Sequence, residues 1–282
     1  MIDIKIIDGR GIAEEFTKNL QEEIKTLNVT PGLAIVYIGD NPNSEIYIKN
    51  KLKKCAEIGI KAEVCKFAAN TSLEEIANTI INLNKREDID GIIIQSPIPS
   101  NLDEEYLNSL IAPSKDVDGF GIFNVGKLAS NKESLIAATP LGVLKLLEHE
   151  NIEIVGKHVV IVGRSKIVGR PIALLMLNHD ATVTIAHSKT KNLKEITKTA
   201  DILIVAIGKP EFINKSYIKE SAVVIDVGIT RKDDGHVYGD IDFDDAKNVV
   251  SYITPVPGGV GPMTIAMLLN NVVESCKNKK LK

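Results

Sequence analysis

The sequence predicts an α/β protein of two domains, on three observations. Short β-branched runs alternate with amphipathic helical stretches almost from end to end, 282 residues exceed the usual span of one hydrophobic core, and turn-forming residues break the alternation near the middle. Helices placed between successive strands build parallel sheets from βαβ units.

The predicted strands are Leu33 to Ile38, Ala62 to Phe67, Gly91 to Gln95, Val159 to Val162, Thr182 to Ala186, Ile202 to Ile207 and Ala222 to Val227. Most are short runs rich in β-branched residues, as strands of a parallel sheet are. Between them the apolar residues recur at helical spacing over Gly11 to Thr26, Ser72 to Asn84, Leu141 to His149 and Asn192 to Thr199. A last helix, roughly Pro262 to Cys276, follows a Gly/Pro segment and has the option of returning to the first domain. The seam falls between Pro113 and Pro140, which gives a first domain of residues 1–138 completed by a C-terminal helix at 263–282, and a second domain at 139–262.

Hydrophobic residues make up 44% of the chain, enough for a substantial core, and the formal charge is only −3 with acids and bases interleaved. Neither a nucleic-acid surface nor a polybasic membrane patch is indicated, so a small-molecule partner is expected. Cys55, Cys65 and Cys276 form no C-x-x-C pair, and His149, His158, His179, His187 and His236 are scattered without H-E-x-x-H spacing, so neither disulfides nor a metal site is expected. No signal pattern opens the chain and no run is long enough to span a bilayer, which points to a cytoplasmic protein.

The stretch His158 to Pro171 contains an apolar strand that breaks at Gly163 and restarts as a helix at Gly169. The first glycine permits a sharp turn, the second a close approach, and free amides at a helix start favour an anion. Arg164 and Ser165 occupy the place of the usual second glycine. NAD-preferring folds carry an acid about 20 residues on, but the next strand here ends in Ala186-His187-Ser188-Lys189, with no carboxylate. Ser188 as a hydrogen-bond donor and Arg164 as a charged fork favour the 2′-phosphate of NADP; the alternative is that Arg164 and Lys189 are solvated surface charges. His187 fits either the phosphate or a strand end at the surface, the latter being the commoner case.

After Asp40-Asn41-Pro42, a helix with Asn43 or Ser44 as its cap carries Tyr47 and Lys51 one turn apart on a shared face. At 100° per residue, Ile48, Leu52, Cys55 and Ala56 form the buried arc, Lys49 and Lys51 border it, and Lys53 and Lys54 point away. A lysine beside an apolar arc either loses water and becomes a usable general base, or extends its ammonium to solvent. The helix alone does not decide between them.

Tyr47 to Lys51, Gln95-Ser96-Pro97, Lys115-Asp116-Val117-Asp118-Gly119, Gly163 to Pro171 and Pro255 to Thr264, in that order and across nearly the whole chain, resemble the bifunctional methylenetetrahydrofolate dehydrogenase/cyclohydrolase family. The Pro-Gly-Gly-Val-Gly-Pro-Met-Thr and Gly-Arg-Ser-x-x-Val-Gly segments are the specific ones. The resemblance implies an N-terminal α/β folate domain, a Rossmann-like NADP domain with a parallel sheet and a cleft between them, in a homodimer. It implies NADP-dependent oxidation of 5,10-methylenetetrahydrofolate to the methenyl cation and hydrolysis of that cation to 10-formyltetrahydrofolate.

Matching positions assign proton cycling to Lys51, its positioning to Gln95, folate packing to Tyr47 and pterin hydrogen bonds to Asp118. The resemblance also implies that Pro257, Gly258, Gly259, Val260 and Gly261 lie on the folate side. Gly163, Arg164, Ser165, Gly169, Ser188 and Ile229 would be the cofactor residues. Taken singly, Gln95 also reads as a solvated strand end, Asp118 as a turn former and 257–262 as a flexible connection. Ser96 stands where leucine is common, Ala138 where cysteine is frequent, and Gly121-Ile122 where His-Pro is usual. These departures touch the shape of the folate pocket and leave every proposed acid/base group in place. A monofunctional dehydrogenase and a non-catalytic nucleotide-binding module are the competing readings.

Overall fold

The computed structural model describes residues 4–232 and 235–280. The chain opens with β1 (Lys5–Ile6), α1 (Gly9–Thr26), β2 (Gly32–Ile38), α2 (Pro42–Ile58), β3 (Lys61–Phe67), α3 (Leu73–Lys85) and β4 (Gly91–Ile94). Then come α4 (Glu104–Ser109), α5 (Ile122–Ala129), α6 (Ala138–His149), β5 (His158–Val162), α7 (Gly169–Asn178), β6 (Thr182–Ala186), α8 (Leu193–Thr197), β7 (Ile202–Val205) and β8 (Val223–Asp226). The last elements are β9 (Thr230–Arg231), β10 (Val237–Tyr238), α9 (Phe243–Ala246), β11 (Tyr252–Ile253) and α10 (Val260–Lys280). All seven predicted strands are present, to within two residues at either end.

Two units form. One holds Glu15–Ala138 and the chain from Leu268; the other holds the chain up to Glu14 and Thr139–Met267. Residues 4–14 thus leave the expected 1–138 domain, because β1 pairs in parallel with β11, Lys5 opposite Tyr252 and Ile6 opposite Ile253. A two-residue strand has no periodicity, so nothing in the sequence marks this pairing. Met1–Asp3 and the end of the expected 263–282 segment, Leu281 and Lys282, lie outside the described residues.

In the first unit a parallel sheet runs β3-β2-β4. Every residue of β2 is buried. The apolar stripe of α3, Ile76, Ala77, Ile80 and Leu83, packs with Ala34, Val36, Ile38, Ile92 and Ile94. Each large side chain withdrawn there contributes about 1.5–3 kcal/mol. Asn271 and Ser275 of α10 seal the sheet edge: the Asn271 amide donates to the carbonyls of Val117 and Ile136, and the Ser275 hydroxyl lies against those of Asp90 and Ser114.

The second unit is a six-stranded, all-parallel sheet in the order β1-β11-β8-β7-β5-β6. From β5 the chain goes to β6 on one side, then crosses back to β7 on the other. That reversal is a topological switch point, where the carboxyl ends of strands leave room for a ligand. The β9–β10 pair, antiparallel and two residues long in each strand, escapes the sequence pattern for the same reason as β1.

Candidate active site

Asn41 caps α2. Its side chain accepts from the amides of Asn43 and Ser44, and Pro42 takes the first helical position. The cap expected at Asn43 or Ser44 therefore moves N-terminal, because a proline, lacking an N–H, suits the first turn. The buried stripe is Ser44, Ile48, Cys55 and Ile58, with Leu52 half-buried and Ala56 exposed. This corrects the arc read from the sequence: Lys51, half-buried, lies in line with the stripe, seven residues from Ser44 and from Ile58.

Position alone would leave that ammonium poorly hydrated. Burial lowers its pKa from the usual 10.5, against smaller upward pulls from Asp118 and Cys55. Lys51 Nζ donates to Gln95 Oε1 at 3.0 Å, while Gln95 Nε2 donates to the Ser96 carbonyl at 2.7 Å, which turns the amide oxygen toward the lysine. The buried Ser44 hydroxyl reaches the same carbonyl at 3.5 Å. Ser96, at a common leucine position, bonds through its own hydroxyl to the Glu104 carboxylate.

Asp118 follows Asp116 in a tightly built loop. The Asp116 carboxylate accepts from Gly119 N at 3.1 Å, Gly121 N at 2.8 Å and Asn124 Nδ2 at 2.9 Å. Lys115, buried, donates to the carbonyls of Leu83 and Arg86 at the end of α3. Sequence reasoning gave neither residue a role, since their partners are backbone groups that composition does not reveal. Burial raises the Asp118 pKa to about 6, with the Lys51 charge pulling down and Asp116 pushing up. Tyr47 lies 57% exposed, its ring open to solvent.

Tyr47, Lys51, Gln95 and Asp118 all belong to the first unit; the glycine loop and Pro257 to Gly261 belong to the second. After β5, Gly163 has φ 130°, and a Cβ there would lie 2.2 Å from the Ala206 carbonyl oxygen. A Cβ on Gly169 would lie 2.2 Å from the Gly163 oxygen, so the turn requires both glycines. Val162 pairs with Ala186, which puts Arg164 and Ser188 each two residues past the end of adjacent strands, both exposed.

The expectation of free amides at the start of α7 is overturned. Ser165 Oγ accepts from Val168 N and Gly169 N, its carbonyl accepts from Arg170 N, Pro171 has no N–H, and Ile172 N bonds to Val168 O. An anion here must be held by side chains and by the loop itself. That cradle, with no carboxylate at the end of β6, fits a dinucleotide bearing an extra phosphate.

Ile229, 59% exposed, follows the turn Asp226-Val227-Gly228. A Cβ on Gly261 would meet its Cδ1 at 3.4 Å, so the Pro257 to Gly261 segment and Ile229 are neighbours. Burial raises the Asp226 pKa to about 7, although the amides of Asp240, Ile241 and Gly228 pull it down. Among the described residues no three His, Cys, Asp or Glu side chains cluster as a metal site, and no helix is long and apolar enough to cross a membrane.

Comparison with known proteins matches residues 7–118 to the catalytic domain, and 137–280 to the NAD(P)-binding domain, of tetrahydrofolate dehydrogenase/cyclohydrolase. The chain belongs to the tetrahydrofolate dehydrogenase/cyclohydrolase family. It is 50% identical over 277 residues to the bifunctional protein FolD of Lysinibacillus sphaericus, covering 97% of this chain and 98% of that one. The crystal structure of the bifunctional FolD enzyme of Campylobacter jejuni superposes with a TM-score of 0.95 at 43% identity, covering 98% and 99%. The Trypanosoma brucei enzyme, complexed with NADP and an inhibitor, gives 0.93 at 36% identity over the whole of both chains. The NAD(P)-binding match runs to residue 280, whereas α10 from Leu268 onward packs with the first unit.

Proposed function

We propose that Lys51 is the proton-cycling group of a bifunctional folate enzyme, which oxidises 5,10-methylenetetrahydrofolate with NADP and hydrolyses the methenyl product to 10-formyltetrahydrofolate. The observation that carries this reading is the 3.0 Å bond between a desolvated Lys51 amine and Gln95. In hydrolysis a water adds to the methenyl carbon and gives one proton to the neutral amine; as the carbon–nitrogen bond breaks, the ammonium returns that proton to the departing ring nitrogen, and the remaining hydroxyl proton of the adduct leaves to solvent as the formyl C=O forms. A group whose pKa is drawn down from 10.5 serves both halves better than an exposed lysine. Gln95 holds the amine in place through an oxygen whose direction Ser96 sets. Asp118, largely ionised near pH 7 with a pKa of about 6, accepts hydrogen bonds from the pterin donors, and the open Tyr47 ring packs on the substrate.

Bound NADP supplies the hydride acceptor. Arg164 and Ser188 would hold its 2′-phosphate, with Gly163, Ser165 and Gly169 shaping the loop and Ile229 offering an apolar surface. We assign the backbone of Pro257 to Gly261 to folate binding, by analogy with the family. Oxidation needs chiefly orientation, because the two flanking nitrogens stabilise the cation formed. We place the protein in the cytoplasm as a homodimer, by analogy with the family and because Cys55, Cys65 and Cys276 form no disulfide.

Replacing Lys51 by methionine tests the reading. Loss of methenyl absorbance in the near ultraviolet should slow roughly 10²–10⁴-fold, the usual worth of a positioned acid/base. A parental rate in a folded Lys51→Met protein would remove Lys51 from the reaction.

A further inference from the structure

In the second unit, two buried aspartates bond almost wholly to backbone amides. Asp240 is fully buried: its carboxylate accepts from Ile207 N at 2.6 Å, Gly208 N at 3.0 Å and Lys209 N at 2.6 Å. Asp226 accepts from Gly228 N at 2.9 Å, from Asp240 N at 3.0 Å and from Ile241 N at 2.9 Å. The space is closed around them. A Cβ on Gly228 would lie 2.2 Å from the Asp240 carboxyl carbon, and one on Gly239 would lie 2.0 Å from an Asp226 oxygen.

The two turns so gathered follow β7 and β8, adjacent strands of the sheet. The first begins beside Ala206, whose carbonyl faces Gly163 of the cofactor loop; the second leads directly into Ile229. A carboxylate that fills three converging amides fixes a turn whose amides would otherwise bond to water.

We infer that Asp240 is a positioning residue for the dinucleotide, holding the Ile207–Lys209 turn in one preformed shape and, through Asp226, fixing it to the Gly228 turn. This rests on the assignment of the cofactor to the carboxyl ends of β5, β7 and β8. Asp240→Asn substitutes an amide donor for one acceptor oxygen and sets it against backbone N–H groups, so the turn loses its shape while most of the sheet is untouched.

Hydrogen exchange on the parent protein tests this without a variant. The amides of Ile207, Gly208, Lys209 and Gly228 should be protected before NADP is added, and NADP should change that protection little. Unprotected amides that become ordered only with NADP would overturn the inference. For Asp240→Asn, calorimetric titration should show NADP affinity falling roughly 10- to 100-fold, with cyclohydrolase turnover near the parental rate. Arg164→Ala, measured alongside, separates the failures. If Arg164→Ala weakens NADP binding and Asp240→Asn does not, the positioning role is wrong and the cofactor site stands. If neither weakens it, the cofactor site itself is misplaced and the inference falls with it.

Discussion

Around Lys51 the chemistry resides in side chains that have lost water; after β5 it resides in backbone shape, where an absent Cβ matters more than any functional group. A changed side chain in the first region should register in rate and pKa. The second tolerates almost no added atom, yet much of its polar chemistry is already satisfied internally by Ser165. A loop can thus be capped by its own residues and still leave side chains such as Arg164 and Ser188 exposed.

Adding a methyl group at the tight turn should break this contrast most severely. Gly163→Ala sets a Cβ 2.2 Å from the Ala206 oxygen at a φ of 130°, and is expected to cost on the order of 3 kcal/mol in urea unfolding and to abolish NADP binding. Ordinary stability and binding would show that the loop has slack the structure does not display. Ser165→Ala is a milder test. It removes the acceptor for Val168 N and Gly169 N and should lower stability by about 1 kcal/mol, as loss of a helix cap does. If stability is instead unchanged, water replaces the hydroxyl and the amides at the helix start are open to an anion after all.

The effect expected at Asp118 has the opposite sign. Its folded pKa of about 6 lies above the ordinary 3.8, so between those values the folded state holds a proton that the unfolded state has released. The favourable contribution of the protonated form is therefore present at low pH and lost as pH rises through about 6. Asp118→Asn removes that loss. Its melting temperature should match the parent near pH 4 and exceed it by several degrees above pH 6, while the KM for folate rises. A difference independent of pH would mean that Asp118 is not desolvated.

Much of this was legible in the sequence, for definite reasons. Leu33–Ile38 and Val159–Val162 are unbroken apolar runs, Ser72 caps α3 where its pattern begins, and Gly163 and Gly169 mark the turn they make. Strands β1, β9, β10 and β11 were not legible, because two residues carry no period. An ideal wheel puts Lys51 at the border of its helix face rather than within it, because it does not register that Ala56 faces solvent. The roles of Asp116 and Asp240 leave little mark in the sequence because their partners are amides brought to them by the fold: Gly119, Gly121 and, across more than thirty residues, Ile207 to Lys209. An acid next to a glycine, as in Gly239-Asp240, was the only trace.

The central claim is that the fold withdraws the Lys51 amine from water beside Gln95 so that it can exchange a proton. Titrating that nitrogen by NMR in lysine-labelled enzyme, assigned with Lys51→Met, measures it directly. The amine should titrate below 10.5, the ordinary lysine value; titration at or above that value would contradict the account.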